Sequence, residues 1–127
     1  MIAPSALVFY VASKTGHAAM WRAHRASGVL INTTWIDEAG EGESACYADL
    51  ATRCITEAIA ADATILYCEP GEVLKGALIE VGAALSAGKE IRCVGDCGSI
   101  SRVFRKHPLW RVFATVAVAI AAPVSSP

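Results

Sequence analysis

The sequence predicts a single α/β domain built as three layers (α/β/α), with helices on both faces of a parallel sheet of about five strands. Short β-branched and apolar runs alternate along the chain with longer segments of helical periodicity. The strand-like runs are continuously apolar, which is typical of parallel strands buried on both faces. A length of 127 residues fits one domain, which we expect over residues 1–122, with a tail over 123–127.

The first elements form a β-α-β unit. The run "ALVFYVAS" (residues 6–13) predicts a buried strand that opens into the loop Ser-Lys-Thr-Gly. Residues 16–26 have helical spacing, and Ser27 and Gly28 provide the stop signal. The β-branched run "VLINTTWI" (residues 29–36) predicts the second strand.

A longer helix follows an acidic, glycine-bearing loop over residues 37–44. Ser44 is the expected N-cap of this helix, which spans about 45–61 and carries an apolar stripe at spacings of three and four. The same reasoning predicts the later elements: a strand at 63–68, a helix at 77–87 closed by Gly88, a strand at 90–95, a basic loop or short helix at 99–107, a short strand at 110–113 and a helix at 114–122.

Composition narrows the class of partner. Eleven Lys and Arg residues against twelve Asp and Glu give a net charge of -1, which offers no electrostatic footprint for a nucleic acid polymer. A small neutral or weakly charged molecule fits better. The hydrophobic fraction of 54% and the residues Trp21, Trp35 and Trp110 favour a homo-oligomer, although the same tryptophans suit a core equally well.

The cysteines and the apolar segments predict a cytoplasmic protein. Five cysteines form an odd set without C-x-x-C spacing, as expected for reduced thiols. The apolar N-terminal run lacks the basic region of a signal peptide. Residues 112–124 are shorter than the roughly 20 apolar residues that a membrane span requires. We therefore expect neither membrane association nor a structural zinc site.

Ligands of such sheets bind outside the carboxyl ends of the strands. This rule selects the loops over 13–16, 37–44, 69–76 and 95–101. Ser13 and Lys14 belong to the first loop, whose backbone N–H groups suit a phosphate or a hydroxyl at a helix N-terminus. The chain has neither a G-x-x-x-x-G-K-[ST] nor a G-x-G-x-x-G motif, so a P-loop or dinucleotide site is not expected.

Glu80 is the best candidate for catalysis. It is the one carboxylate in the apolar run "KGALIEVGAAL" (residues 75–85), close to the loop after the third strand. It is either an exposed helical Glu or a functional group in a partly desolvated crevice, and its apolar neighbours favour the second interpretation. Tyr10, near the end of the first strand, is either a core aromatic or a hydrogen-bond donor to a carboxylate across that crevice.

The remaining polar candidates favour surface roles. A run of carboxylates over 37–44 could gather a metal ion, but such charge runs are usually solvated turns; its members are Asp37, Glu38, Glu41 and Glu43. Asp49 and Asp62 occupy positions typical of helix caps or helix surfaces. His17 lies near the first loop and could contact a ligand, but no histidine has a partner at metal-ligand spacing. We expect no metal and no cofactor.

Three stretches of the chain resemble the nucleoside 2-deoxyribosyltransferase-like superfamily. They are "FYVAS" (9–13), "DLATRCITEAIAADATILY" (49–67) and "KGALIEVGAALSAGKEI" (75–91), the last close to the family pattern G-[TS]-x-x-E-[IV]-G-x-A-x-x-x-G-K. The resemblance runs to about Gly95. It implies a flavodoxin-like fold, a nucleoside or nucleotide substrate, Glu80 as the nucleophile and Tyr10 as the residue that orients it. The expected substrate-binding residues are Ser13, Lys14, Asp49, Glu69 and Gly76.

The chain departs from the family pattern where the leaving base is recognised. The family usually has an Asp five or six residues before the nucleophile, where this chain has Leu74 and Lys75; Glu69 or Glu72 could substitute. Three activities stay open: transfer of the sugar between bases, hydrolysis of a nucleoside 5'-monophosphate held by the loop at Ser13, and binding without turnover, since the fold does not decide the function.

Overall fold

The protein folds around a five-stranded sheet, all parallel, in the order β2-β1-β3-β4-β5. The computed structural model describes residues 6–39, 46–95 and 102–124. The strands are β1 (Val8–Ala12), β2 (Leu30–Ile31), β3 (Ala63–Cys68), β4 (Glu90–Gly95) and β5 (Trp110–Phe113). This topology confirms the flavodoxin-like α/β/α prediction, and strands β3, β4 and β5 have the predicted bounds.

Helices cover both faces of the sheet. They are α1 (Ala18–Ala26), α2 (Trp35–Glu38), α3 (Tyr47–Ala60), α4 (Gly76–Ser86), α5 (Arg102–Arg105) and α6 (Val116–Ala121). Alternate side chains of β1 show the two faces: Tyr10 bonds to Glu80 on α4, whereas Phe9 lies against Arg92, whose guanidinium bonds to carbonyl groups at the end of α6. No helix in the described part of the chain has the length and apolar character needed to cross a bilayer.

The second strand is shorter than predicted. The sequence favoured a strand over 29–36, but β2 ends at Ile31 and α2 begins at Trp35. Beyond Ile31, side chains take over the bonds of the missing ladder: the Thr33 hydroxyl accepts from Val11 N at 2.9 Å, and Trp35 Nε1 donates to Val11 O at 3.0 Å. Because both backbone groups of Val11 are satisfied in this way, the chain is free to turn away from the sheet.

Helix α3 begins later than predicted and buries only part of its apolar stripe. Cys46 occupies the N-cap position that the sequence assigned to Ser44, a residue outside the described ranges. Ala58 is fully buried and Leu50 and Cys54 are half-buried. The other large apolar side chains of the stripe are exposed; they are Tyr47, Ile55 and Ile59.

The three tryptophans belong to the core. Trp21 is fully buried, and Trp35 and Trp110 are each 7% exposed. They therefore give no support to the predicted homo-oligomer, which stays a prediction based on composition. Gly95 is required where β4 ends, because its φ of +90° favours glycine and an added Cβ would lie 2.1 Å from Cys68 O at the end of β3.

Arg92 ties the C-terminal segment to the sheet. Its side chain is fully buried and pairs with Glu90 at 2.8 Å. It also donates to the carbonyl oxygens of Ala119, Ala122 and Pro123. Because a buried guanidinium is costly without partners, these bonds fix the path of the chain after α6.

We predict that Arg92→Leu lowers the free energy of unfolding by about 3–5 kcal/mol, because it leaves the carbonyl oxygens of Ala119 and Ala122 without this donor and leaves Glu90 with Arg111 as its remaining cation. Arg25→Leu is the matched control. Arg25 pairs with Asp37 at 2.6 Å, but the two side chains are 37% and 48% exposed, so its loss should cost about 0–1 kcal/mol. Urea unfolding measures the free energy of unfolding of both variants. Equal losses would contradict the conclusion that Arg92 stabilises the fold more than an exposed ion pair does.

Candidate active site

A cleft of about 340 Å³ opens at the carboxyl edge of the sheet. Such a volume lies at the lower end of the range for small-molecule sites, about 300–1,000 Å³. The loop after β1, helix α2, helix α3 and the loop from β3 into α4 all contribute to its walls. The lining residues are Ser13, Lys14, Thr15, Trp35, Leu50, Cys54, Leu74, Lys75, Gly76, Ala77 and Glu80.

Glu80 lies on one wall of this cleft and is hydrogen-bonded to Tyr10, which is fully buried. Glu80 lies in the second turn of α4, and its Oε1 accepts a hydrogen bond from the Tyr10 hydroxyl. The pair joins β1 to α4 across 70 positions of the sequence. The structure thus brings together the two residues that the sequence predicted to be catalytic.

Burial determines the protonation of this pair. Desolvation raises the pKa of Glu80 above its usual range, the hydrogen bond from Tyr10 lowers it, and the charge of Glu57 raises it further. Desolvation, followed by the charge of Glu80, raises the pKa of Tyr10 far above its ordinary value. Tyr10 therefore keeps its proton at neutral pH and serves as a donor to the carboxylate.

Cys54 lies beside this pair but is not poised as a nucleophile. Its thiol lines the cleft, and burial raises its pKa, an effect that the contact with Tyr10 opposes and the charges of Glu80 and Glu57 reinforce. A raised pKa keeps the thiol protonated near neutral pH, and the thiolate is the reactive form. Glu80 is the only acidic group among the described residues that line the cleft.

Three of the five predicted substrate-binding residues line the cleft. Ser13 Oγ accepts from Trp21 Nε1 at 2.9 Å and donates to Lys14 O at 3.0 Å, so this hydroxyl is held in place by the fold. Lys14 and Gly76 also line the cleft, as does Lys75. Within residues 6–39, 46–95 and 102–124, neither lysine ammonium group has a hydrogen bond or an ion pair.

Asp49 and Glu69 lie outside the cleft lining. Asp49 is exposed and pairs with Arg53 at 2.8 Å. Glu69 accepts from the Tyr67 hydroxyl at 2.8 Å and faces His17. Glu72, the other acid that could have replaced the missing Asp, also bonds to His17 and does not line the cleft.

The predicted acidic turn is held by ion pairs where it is described. Asp37 binds Arg25 and Glu38 binds Arg53, each through both carboxylate oxygens. Glu41 and Glu43 lie outside the described residues. Neither of these two carboxylates belongs to a group of metal-ligating side chains among the described residues.

Sequence reasoning missed the wall formed by Trp35, Leu50 and Cys54. Trp35 was expected in a strand, and only the departure of β2 from the sheet brings it to the cleft. Leu50 and Cys54 lie four positions apart on the apolar stripe, which could have been recognised as a cleft wall. Sequence reasoning also missed the neighbours of His17, because Glu69 and Glu72 lie more than fifty positions away.

The fold is that of three-layer flavodoxin-like proteins, and two solved structures that share it are enzymes of nucleoside and nucleotide chemistry. The 2-deoxyribosyltransferase of Bacillus psychrosaccharolyticus is 16% identical with a TM-score of 0.68, over 92% of this chain and 93% of that chain. The CMP N-glycosidase of Clostridium botulinum is 13% identical with a TM-score of 0.56, over 85% and 90%.

These likenesses confirm, at the level of the fold, the resemblance found in the sequence. No family model matches the chain, and no curated protein sequence matches it either. Identities this low establish the fold alone, so the activity has to be argued from the site.

The raised pKa of Glu80 predicts how stability depends on pH. The folded state holds the Glu80 proton more tightly than the unfolded chain, whose Glu pKa is about 4.3. The contribution of Glu80 to stability therefore falls as pH rises from that value through the folded pKa. We expect Glu80→Gln to stabilise the protein at pH 7, and by less at pH 4. Urea unfolding at both pH values checks this; a variant without any gain at pH 7 would contradict it.

Proposed function

We propose that this protein acts on the N-glycosidic bond of a nucleoside or nucleotide, with Glu80 as the nucleophile. The observation that carries the proposal is the half-buried carboxylate, fixed by a protonated tyrosine and lying on the wall of a cleft at the carboxyl edge of the sheet. A nucleophilic carboxylate needs a single orientation and little competing water, and this arrangement supplies both. The two enzymes that share the fold support the same class of chemistry.

The reaction proceeds by two displacements at one carbon. A Glu80 carboxylate oxygen attacks the anomeric carbon, the C–N bond breaks, and the base leaves with the bonding electron pair and takes up a proton. The product is a glycosyl ester of Glu80. A second base or a water molecule then attacks the same carbon, gives up a proton and releases the Glu80 carboxylate. Tyr10 acts as a positioning residue by holding one oxygen of Glu80.

We predict that Glu80→Ala abolishes base release and base exchange. The protein is incubated with deoxynucleosides or deoxynucleoside monophosphates, with and without free adenine or cytosine. Chromatography measures the released and exchanged bases. The rate should fall at least about 10³-fold, because the variant lacks the group that forms the intermediate. Intact-protein mass spectrometry should show the added glycosyl group on the wild type alone.

Asp62→Asn is the matched control for this loss. Asp62 accepts from Val8 N at 2.7 Å, at the end of the sheet opposite the cleft, and an amide oxygen can keep that bond. The Asp62→Asn variant should therefore release and exchange bases at the rate of the wild type. Turnover that survives in Glu80→Ala would contradict the role of Glu80, whereas a wild type that binds nucleotides without turnover would point to a binding module.

A nucleoside 5'-monophosphate N-glycosidase, which uses water as the acceptor, is the second candidate. Lys14 and Lys75 favour it, because both ammonium groups border the cleft without an ionic partner among the described residues. Lysine binds phosphate as a point charge. The loop that holds Ser13 and Lys14 leads into the short helical turn Thr15–His17.

If the substrate carries a phosphate, Lys14→Ala and Lys75→Ala should each raise KM for the deoxynucleoside monophosphate about tenfold and leave KM for the deoxynucleoside unchanged. Lys89→Ala is the matched control, since Lys89 lies between α4 and β4 at the other end of the sheet and should have no effect. Equal changes for both substrates would contradict recognition of a phosphate by these lysines.

A further inference from the structure

A second group of metal-ligating side chains lies beside the loops that form the cleft. His17 Nε2 is 2.8 Å from Glu72 Oε2 and 3.6 Å from Glu69 Oε1. The three ligand atoms, one from each residue, all lie within 4.8 Å of one another. Ligands about 2.1 Å from a tetrahedral ion are about 3.4 Å apart, so small side-chain shifts would bring these three atoms around one cation.

A hydrogen bond from Tyr67, which lies outside the group, orients Glu69, and a backbone N–H orients Glu72. The Tyr67 hydroxyl donates to Glu69 Oε2 at 2.8 Å, and Glu69 N donates to Glu72 Oε1 at 2.8 Å. Each bond occupies the oxygen that does not face His17. The Tyr67 ring also packs edge-on against the imidazole, with ring centroids 4.9 Å apart at 85°. Partners of this kind are what hold metal ligands in place in known sites.

The donor set suits a first-row divalent cation. One imidazole nitrogen and two carboxylate oxygens match Zn²⁺, whereas Mg²⁺ and Ca²⁺ prefer oxygen ligands alone. Two carboxylates balance the charge of a divalent ion. The charge of Lys14 acts on Glu72, and Lys14 is an exposed residue whose side chain can turn towards solvent.

We propose that His17, Glu69 and Glu72 form a Zn²⁺ site with a fourth position open to water or to a ligand. The imidazole binds through Nε2 and carries its proton on Nδ1. The site joins the loop after β1 to the loop after β3. Thr15 and Leu74, which line the cleft, are each two positions from a ligand, so the cation sets the distance between two walls of the cleft without lining it.

The test is direct binding of Zn²⁺ by isothermal titration calorimetry, with the d–d absorption of Co²⁺ as a report of coordination. The full chain, stripped with a chelator, should bind one Zn²⁺ per protein. His17→Ala and Glu72→Gln should each weaken binding by more than about 100-fold and change the Co²⁺ spectrum. Tyr67→Phe, which removes an outer partner, should weaken binding about tenfold.

His24→Ala is the matched control, because His24 lies on the next turns of the same helical segment and does not belong to the group. It should bind Zn²⁺ as the wild type does, and far-UV circular dichroism checks that every variant is folded. Glu72→Gln keeps the size of the side chain and tests the site even if His17→Ala fails to fold. No stoichiometric binding, or binding that survives unchanged in Glu72→Gln as it would on the cysteines, overturns the proposal.

Discussion

The hydrogen bond from Tyr10 to Glu80 is the contact on which the site is built. A carboxylate that leaves water loses solvation that the protein has to replace. Here the replacement is a single phenol, held on β1 where its proton cannot be lost near neutral pH. The bond fixes the rotation of α4 about its axis, since Glu80 must face β1. This orientation brings Gly76 and Ala77, one turn earlier, to the cleft.

The early end of β2 creates the opposite wall. A full-length β2 would have paired with Val11 and carried residues 33–36 along the sheet. Instead, Thr33 and Trp35 use side-chain atoms to bond Val11, and the chain turns into α2. The Trp35 ring thereby lies at the cleft, where an aromatic surface can contact a flat ligand. The backbone of β1 loses no hydrogen bond in this exchange, which explains how a central strand tolerates a short neighbour.

The predictions that succeeded rest on local patterns, and those that failed depend on contacts between distant residues. The continuous apolar runs at β3 and β4 were sufficient to predict their bounds. The β-branched run after Ile31 gave a strand signal of similar strength, and tertiary bonds to Val11 overrode it. The rule that strand ends of a parallel sheet meet at one edge left the contact of Tyr10 with a carboxylate as one of two alternatives, and the family resemblance implied that Tyr10 orients Glu80.

The same rule could not predict on which side of the sheet edge the side chains of a loop lie. Glu69 and Glu72 follow β3 as predicted for a substrate-binding loop, but their side chains meet His17 on the side of α1, and Leu74 takes the place at the cleft. The described lining therefore combines one carboxylate, Glu80, with two lysine ammonium groups. Such a lining offers no second acid to hydrogen-bond a leaving base, and it attracts a ligand that carries negative charge. The charge pattern, more than the shape of the cleft, is thus the feature that supports the second candidate, whose substrate bears a phosphate.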